Sequence, residues 1–334
     1  MINWIDIRIP DAGGYMPCMR NSNFHKAKMV KNDEFYTRYE DVVAECEHYD
    51  FTGLHVMVPF DDPEWSAFYK YFDDNFERLG LAGLTCTHRT LDGSPSYALV
   101  RDGGAPTRRV DLVRDGDFFT LEVNKLMQQC DVVVSNPPFS IWRKIFQNLM
   151  EWDMKFLLLS SNPAFICKHV MPYVCDGSVR NGFNIVQKFD TPDGDTASVA
   201  CRWLTNLPAP PHYRELMLTR HYADGAYKKL LNYDAIYVPR VADIPVDYDG
   251  VMAVPVTFID YWNPDDYRIL GNSCTLPMHL PTEYVNAFNK RAMMNYKNGI
   301  SGYDSTYETD LISFILDDDN NVSKLYTTLM IQRI

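Results

Sequence analysis

Short apolar runs alternate with helical patterns along the chain up to residue 207. Apolar runs bounded by turn residues are typical of buried strands, and apolar positions with a period near 3.6 are typical of helices. The last two runs flank a turn at Pro192-Asp193-Gly194-Asp195, which predicts an antiparallel hairpin. Strands are predicted over 54–60, 81–88, 132–134, 155–160, 183–189 and 197–204.

Between these strands, apolar residues with helical spacing predict the helices of an α/β fold. The stretch from 91 to 113 predicts a surface hairpin around Gly103-Gly104. The alternation of strands and helices favours a mostly parallel sheet that the antiparallel pair closes. Helices are predicted after Thr37 through Cys46, from Phe68 to Phe76, up to Gln129, from Ile141 to Trp152 and from Pro163 to Val170.

The composition and the periodicity of the sequence change at residue 208. Pro208, Pro210 and Pro211 form a linker-like break. The sequence that follows is rich in aromatic residues and proline, with few long periodic segments. We therefore expect an α/β domain over 1–207 and a second region over 208–334.

The stretch from Asp131 to Ser140 carries the strongest chemical signal. Its three valines predict a short buried strand, and Asn136-Pro137-Pro138-Phe139 follows as a turn that the prolines stiffen. In open α/β sheets, the carboxyl ends of the strands border the ligand crevice. Asn-Pro-Pro is also a common turn, so the tetrapeptide alone leaves a simple loop as an alternative.

Each residue of this turn suits a planar ring that carries an exocyclic amine. The Asn136 oxygen can accept one N–H, the Pro137 carbonyl, held by Pro138, can accept the other, and Phe139 offers a face for stacking. Two acceptors leave the amine lone pair less conjugated with the ring, so that it can attack a methyl sulfonium without a metal. The turn resembles the catalytic motif of amino-methyltransferases that use S-adenosylmethionine. Their substrates are adenine in DNA, guanine in ribosomal RNA or glutamine in protein.

Three other stretches lie where such a sheet would hold a nucleoside-bearing cofactor. Residues Asp33 to Thr37 precede a helix and, as a bare pattern, indicate a helix start. Phe60-Asp61-Asp62-Pro63 ends the first strand, although the glycine-rich turn of a dinucleotide fingerprint is missing. Gly116-Asp117-Phe118 could hold an adenine ring or simply cap a helix. The strand over 81–88 ends without the carboxylate that usually binds ribose.

The overall charge argues against nucleic acid, but it is unevenly distributed. The 334 residues carry a net charge of -12, whereas a DNA-binding protein normally shows a basic footprint. Residues 304–319 hold six acids and no Lys or Arg. If the chain binds nucleic acid, we expect 202–240 to face the phosphates, and an ordinary solvated surface is the alternative. The bases of that segment are Arg202, Arg214, Arg220, Lys228, Lys229 and Arg240.

No stretch approaches the ~20 continuous apolar residues that a membrane span needs. Residues Met1 to Asp6 also lack the layout of a signal peptide, so we expect a cytoplasmic protein. The eight cysteines are scattered, without Cys-x-x-Cys or a histidine at ligand spacing. We therefore expect reduced, mainly structural thiols and no zinc site.

Taken in order, these motifs resemble the EcoRI-type adenine-specific DNA methyltransferase family over most of the chain. Four of them follow the order and spacing of that family: Asp33 to Thr37, Asp61 to Pro63, Gly116 to Phe118 and Asn136 to Ser140. The Asp-Asp-Pro segment is similar to the family's replacement for the glycine fingerprint. The chain departs from the family at Thr328, where an arginine is usual. Further similar stretches, which the RNA and protein enzymes lack, are Arg202 to Leu207, Asn232 to Ile236 and Ile244 to Phe258.

The resemblance implies a Rossmann-like class I methyltransferase fold, with an S-adenosylmethionine-binding catalytic domain over 1–207 and a target-recognition lobe over 208–334. It implies methyl transfer to the N6 amine of an adenine flipped out of double-stranded DNA, by a monomer in a bacterial or phage-infected cell. Methylation of ribosomal RNA guanine or protein glutamine, or a non-catalytic acidic decoy, are the alternatives. The implied catalytic residues are Asn136, Pro137, Pro138 and Phe139. The implied cofactor contacts are Asp33, Phe35, Tyr36, Thr37, Phe60, Asp61, Asp62, Pro63, Asp117, Phe118 and Asn136.

Overall fold

A computed structural model describes residues 35–90, 93–191, 194–210, 212–223, 225–297 and 313–334. Within these ranges an eight-stranded sheet dominates, with the strand order β4-β3-β2-β1-β5-β6-β8-β7. Its strands are β1 His55–Val58, β2 Gly83–His88, β3 Tyr97–Asp102, β4 Arg108–Asp111, β5 Val132–Ser135, β6 Lys155–Ser161, β7 Arg180–Asp190 and β8 Thr196–Thr205.

The four central strands of this sheet, β2, β1, β5 and β6, are parallel. Antiparallel pairs close both edges, β7 with β8 on one side and β3 with β4 on the other. The closing hairpin and the hairpin around Gly103 are therefore confirmed, and the second hairpin extends the sheet itself. In this arrangement β5 lies at the centre and its carboxyl end faces the crevice of the parallel strands.

The helices lie close to their predicted positions. Ser66 caps the helix that follows β1, because its hydroxyl accepts the amides of Phe68 and Tyr69. Phe68, Tyr71 and Phe72 form the buried face of that helix. The helices are α1 Tyr39–Cys46, α2 Ala67–Asp74, α3 Leu121–Met127, α4 Trp142–Glu151, α5 Asn162–Phe165, α6 Met171–Cys175 and α7 Thr282–Lys297.

The prediction of a single helix over 163–170 is wrong. The chain forms the short α5, a turn, and then α6, which has a proline in its first turn. The Ile166 carbonyl accepts a hydrogen bond from Asn272 Nδ2 at 2.6 Å. A carbonyl that is occupied by a distant side chain no longer extends the helix, so a tertiary contact overrides the local pattern here.

A second sheet follows residue 208, and the sequence pattern did not predict it. Its strands are short and β14 pairs with two strands that lie far upstream, so local periodicity carries little signal. The order β11-β14-β10-β9 is built from β9 Ile236–Tyr237, β10 Met252–Pro255, β11 Tyr267–Asn272 and β14 Thr328–Arg333. A separate antiparallel pair is formed by β12 Phe314–Leu316 and β13 Val322–Lys324.

The core lies on both faces of the large sheet. Val132 and Val134 of β5 point to the face that α1 and α2 cover, and Val133 points to the face covered by α3 and α4. The second sheet contributes Met252 and Leu329 to the same cluster as Val133. The region after 208 therefore packs on one face of the large sheet. Among the helices that the structure describes, none has the length and apolar character to cross a membrane.

Candidate active site

Asn136 begins the turn after β5 and has only half of its side-chain amide engaged. Its Nδ2 donates a hydrogen bond to the backbone carbonyl of Phe35 at 2.7 Å. Its Oδ1 is buried and, among the described residues, has no hydrogen-bond partner. Buried polar atoms are normally paired, so this unpaired acceptor indicates a site for an external donor.

The turn is held at its far end by the helix that follows it. The Pro138 carbonyl accepts the amide of Ile141 at 3.2 Å, which leads directly into α4. The buried indole of Trp142 donates to the Leu159 carbonyl of β6 at 3.0 Å. Pro137 is buried, whereas Pro138 and Phe139 are partly exposed. The turn is therefore fixed between β5 and β6 while its aromatic residue stays accessible.

Phe139 lies next to the N-terminal aromatic segment. Its ring centroid is 5.8 Å from that of Phe35, which in turn lies 5.8 Å from Phe189. Tyr36 exchanges two backbone hydrogen bonds with Asp190 at the end of β7, at 2.8 and 3.0 Å. The structure thus places Phe35 and Tyr36 next to the Asn136–Phe139 turn. Asp33 lies outside the described residues.

A cavity of about 520 Å³ opens beside this segment. Tyr36 and Trp65 form one wall, with their ring centroids 4.1 Å apart. Thr37 also lines the cavity, and its hydroxyl is buried without a partner among the described residues. Arg38 and Asp190 form an ion pair at 2.8 Å on the same wall. Trp65 was not predicted as a site residue, although it lies just after the Asp-Asp-Pro stretch.

Asp61 connects the end of β1 to the catalytic turn. Its carboxylate, 6% exposed, accepts hydrogen bonds from the Ser135 hydroxyl, the Ser66 side chain and the Asn136 backbone N–H. Burial raises the pKa of Asp61 to about 7, and these three hydrogen bonds oppose the increase. The structure therefore places Asp61 beneath the turn, where it binds the backbone of Asn136.

Asp62 faces the end of β2. One of its oxygens accepts the Glu64 amide at 2.9 Å, and the other lies 2.6 Å from Nδ1 of His88. The His88 ring also stacks on Tyr97, with centroids 4.5 Å apart. A carboxylate therefore does lie beside the end of β2, and it comes from the loop after β1. Pro63 follows in the same turn, partly exposed.

Asp117 and Phe118 lie on the other side of β2. The Asp117 carboxylate accepts the Phe119 amide at 2.9 Å and pairs with Arg89 at 2.8 Å. Gly116, with φ of 76°, packs against the end of β2, where a Cβ would lie 2.9 Å from the His88 carbonyl oxygen.

The aromatic residues of this part of the site differ in exposure. Phe118 is 2% exposed, and its centroid lies 4.8 Å from that of Phe60. Phe60 and Phe119 are only partly buried. The predicted site residues thus form two groups that Phe60-Asp61 joins along the chain, one around Asn136 and one around the end of β2. His88 and Arg89 belong to the second group. The sequence pattern indicated only that no carboxylate ends this strand.

The parallel centre of the sheet, with an Asn-Pro-Pro-Phe turn at the end of its middle strand, fits a methyltransferase of the α/β class. The family described as "Adenine-specific methyltransferase EcoRI" matches residues 23–98 and 100–314. The chain belongs to this family, and the resemblance seen in its motifs is confirmed.

Curated relatives cover most of the chain. It is 34% identical over 289 residues to the Type II methyltransferase M.EcoRI of Escherichia coli, a match that covers 75% of this chain and 89% of the relative. It is 30% identical to the Type II methyltransferase M.MpnI of Mycoplasma pneumoniae, covering 79% and 90% of the two chains. M.MgeORF184P of Mycoplasma genitalium is 28% identical, with 83% and 94% covered. No solved structure matches the chain. The expected adenine methyltransferase function is confirmed, and the alternatives are not favoured.

Proposed function

We propose that this protein transfers a methyl group from S-adenosylmethionine to the N6 amine of an adenine that has been flipped out of a specific site in duplex DNA. The observation that carries the proposal is the unpaired, buried Oδ1 of Asn136. Because Nδ2 of the same amide is engaged by Phe35, the group left for a substrate is an acceptor. An exocyclic amine is a donor that matches it.

The residues of the turn contact different parts of the adenine. Asn136 Oδ1 accepts one N–H of the amine and the Pro137 carbonyl accepts the other, which directs the nitrogen lone pair out of the ring plane. Phe139 stacks on the base and offsets part of the cost of removing it from the duplex. Asp61 holds the Asn136 backbone during the reaction through its hydrogen bond to the amide.

The cofactor fits the groups around β1 and β2. S-adenosylmethionine supplies an electrophilic methyl group on a sulfonium. The unpaired Thr37 hydroxyl and the adjoining cavity support a binding role for the N-terminal segment. In the proposal, the cofactor lies against the loop after β1, which contains Asp61, Asp62 and Pro63. Its adenosine contacts Asp117 and Phe118. The full set is Asp33, Phe35, Tyr36, Thr37, Phe60, Asp61, Asp62, Pro63, Asp117, Phe118 and Asn136.

We assign residues 1–207 to catalysis and cofactor binding and residues 208–334 to target recognition. The second sheet shares one core cluster with the large sheet, which supports a fixed orientation between a recognition surface and the catalytic turn. The relatives are bacterial proteins with Type II methyltransferase names, which supports an enzyme of a bacterial or phage-infected cell. We assign it to the cytoplasm and expect it to act as a monomer.

Incubation of the protein with labelled S-adenosylmethionine and duplex DNA of mixed sequence tests the proposal. We expect label in N6-methyladenine at one recurring sequence. Parallel reactions with ribosomal RNA and with lysate proteins test the other amine substrates. A folded protein that binds the cofactor and labels only RNA or protein contradicts the proposal. A protein that does not bind the cofactor at all supports a decoy instead.

A further inference from the structure

The basic segment expected to face DNA is largely occupied by internal ion pairs. Asp243 binds both Arg220 at 2.9 Å and Arg240 at 2.7 Å. Lys228 pairs with Asp318 at 2.6 Å, and Arg202 pairs with Asp260. Four of the six bases are thus paired with three carboxylates, which lowers the positive potential of this segment. Because the chain carries a net charge of -12, exposed cations without a carboxylate partner are the better candidates for contacts with DNA.

A second group of bases lies at the carboxyl edge of the large sheet. Arg143 is in the first turn of α4, directly after the catalytic turn, and Lys168 and His169 follow α5. Nε2 of Gln147, one helical turn after Arg143, lies 3.2 Å from Nδ1 of His169. This contact brings the face of α4 that carries Arg143 against the segment that carries Lys168.

The charges of this group are unneutralised. Arg143 and Lys168 are exposed, and among the residues that the structure describes no carboxylate lies within 4.0 Å of either. Burial lowers the pKa of His169, and the positive charges of Arg143 and Lys168 lower it further. The two cations therefore both lie near one imidazole, and no carboxylate of the described residues pairs with either of them there.

The location of the group matches the proposed reaction. It adjoins the turn that holds Asn136 on one side. On the other side, the bond from Asn272 to the Ile166 carbonyl brings the end of β11, in the proposed recognition region, against the same segment. A DNA backbone that crossed this edge would present one strand to the catalytic turn and its neighbouring bases to the second lobe.

We propose that Arg143 and Lys168 form a phosphate-binding surface that seats the backbone of the DNA beside the extruded adenine. This inference rests on the proposed function. The occupant is a nucleic-acid phosphate backbone, because two exposed and unpaired cations at the mouth of the active site complement closely spaced anions. Contacts to phosphate position the duplex without reading its sequence, so the surface supplies affinity and register.

The test compares two charge-matched double variants of the full chain. Arg143→Gln/Lys168→Gln removes the proposed surface. Lys125→Gln/Lys155→Gln removes two exposed bases from the opposite edge of the sheet, at the end of α3 and the start of β6. Fluorescence anisotropy measures binding over a range of salt concentrations. One labelled duplex contains the sequence that the protein methylates, and a second duplex lacks it. S-adenosylmethionine affinity and thermal unfolding show whether each variant is folded.

We expect the Arg143/Lys168 variant to bind both duplexes more weakly and to reduce the slope of log affinity against log salt by about 2. Its cofactor affinity should match that of the wild type, and the Lys125/Lys155 variant should retain the wild-type slope. If wild-type protein methylates DNA but the first variant keeps the full slope, the inference is wrong while the proposed function stands. If the wild type binds no duplex, both are overturned.

Discussion

The Asn136 side-chain amide and the Phe35 backbone carbonyl are joined by a 2.7 Å hydrogen bond, although the two residues lie far apart in the sequence. This bond sets the rotation of the amide, because only Nδ2 can donate to a carbonyl. Oδ1 is thereby left unpaired and buried. In the proposed reaction, the N-terminal segment thus fixes the acceptor before the substrate binds, which lowers the reorganisation required for methyl transfer.

Asn136→Ala should abolish most turnover with only a modest effect on cofactor binding, because Asn136 is one of eleven proposed cofactor contacts. Removal of one preorganised hydrogen-bonding group in a catalytic site commonly lowers the rate by about 10² to 10³. We expect a loss of this size in single-turnover methylation of duplex DNA, with a much smaller change in the dissociation constant for S-adenosylmethionine. Asn148→Ala, in the following helix, is the control and should keep normal turnover. A wild-type rate in the Asn136 variant would exclude a role for this amide.

Phe139 should contribute by stacking on the flipped base. Loss of one base–aromatic stack costs about 1–3 kcal/mol, so we expect Phe139→Ala to reduce methylation at low DNA concentration by about 5- to 150-fold. Phe139→Tyr keeps the ring face and should remain near wild type. Fluorescence of 2-aminopurine at the target position reports whether the base leaves the stack. Equal signals from the Ala and Tyr variants would show that the ring is not a stacking surface.

The sequence was sufficient to predict the strand and the turn around Asn136, because the signal there is local. Three valines form β5 and two prolines stiffen the turn after it. The same holds for the antiparallel pair of β7 and β8, which the apolar runs over 183–189 and 197–204 predicted. In both places propensity, pattern and turn chemistry agree, so a few adjacent residues determine the structure.

The remaining features depend on contacts that no local pattern reveals. Asp61 reaches Ser135 only because β1 and β5 are neighbours in the sheet, and the two residues are 74 positions apart. The β9 strand has two residues and gains its hydrogen bonds from β10. The charge segment over 202–240 shows the same limit, since composition counts its bases but not the carboxylates that pair with them.

The buried carboxyl of Asp61 should make stability depend on pH. Its pKa of about 7 in the folded protein exceeds the ~3.9 of an unfolded aspartate. The folded state therefore holds a proton that the unfolded state has released between these two values, and stability falls as the pH rises through that interval. Asp61→Asn removes this ionisation, so its free energy of unfolding should decrease less between about pH 5 and about pH 7.

Urea denaturation of the wild type and the Asp61→Asn variant at both pH values checks this expectation. Other carboxyls, including the buried Glu45, titrate in both proteins, so the difference between the two isolates Asp61. Asp153→Asn alters an exposed carboxyl in a left-handed turn that asparagine tolerates, and it should follow the wild-type dependence. Parallel curves for Asp61→Asn and the wild type would mean that Asp61 is ionised throughout.

The ion pair between Arg202 and Asp260 should join the two regions of the chain. Both terminal nitrogens of the Arg202 guanidinium contact the carboxylate, and Nη2 lies 3.0 Å from Oδ2. The side chain of Arg202 is 14% exposed and that of Asp260 is 13% exposed. Removal of one partner leaves a poorly solvated charge, so we expect Arg202→Met or Asp260→Leu alone to destabilise the protein by about 3–5 kcal/mol. The double variant replaces both charges by apolar groups and should regain most of this loss.

A double-mutant cycle of unfolding free energies measures the coupling between these residues. The exposed pair of Arg78 and Glu47, whose side chains are 51% and 43% exposed, is the matched control. Solvent screens that pair, so its coupling should be much smaller. The Asp260 backbone carbonyl also accepts the Arg214 amide at 2.7 Å, and Asp260→Leu keeps that carbonyl, so the cycle measures the side-chain pair alone. A coupling no larger than that of the exposed pair would show that the apolar core alone holds the two regions together.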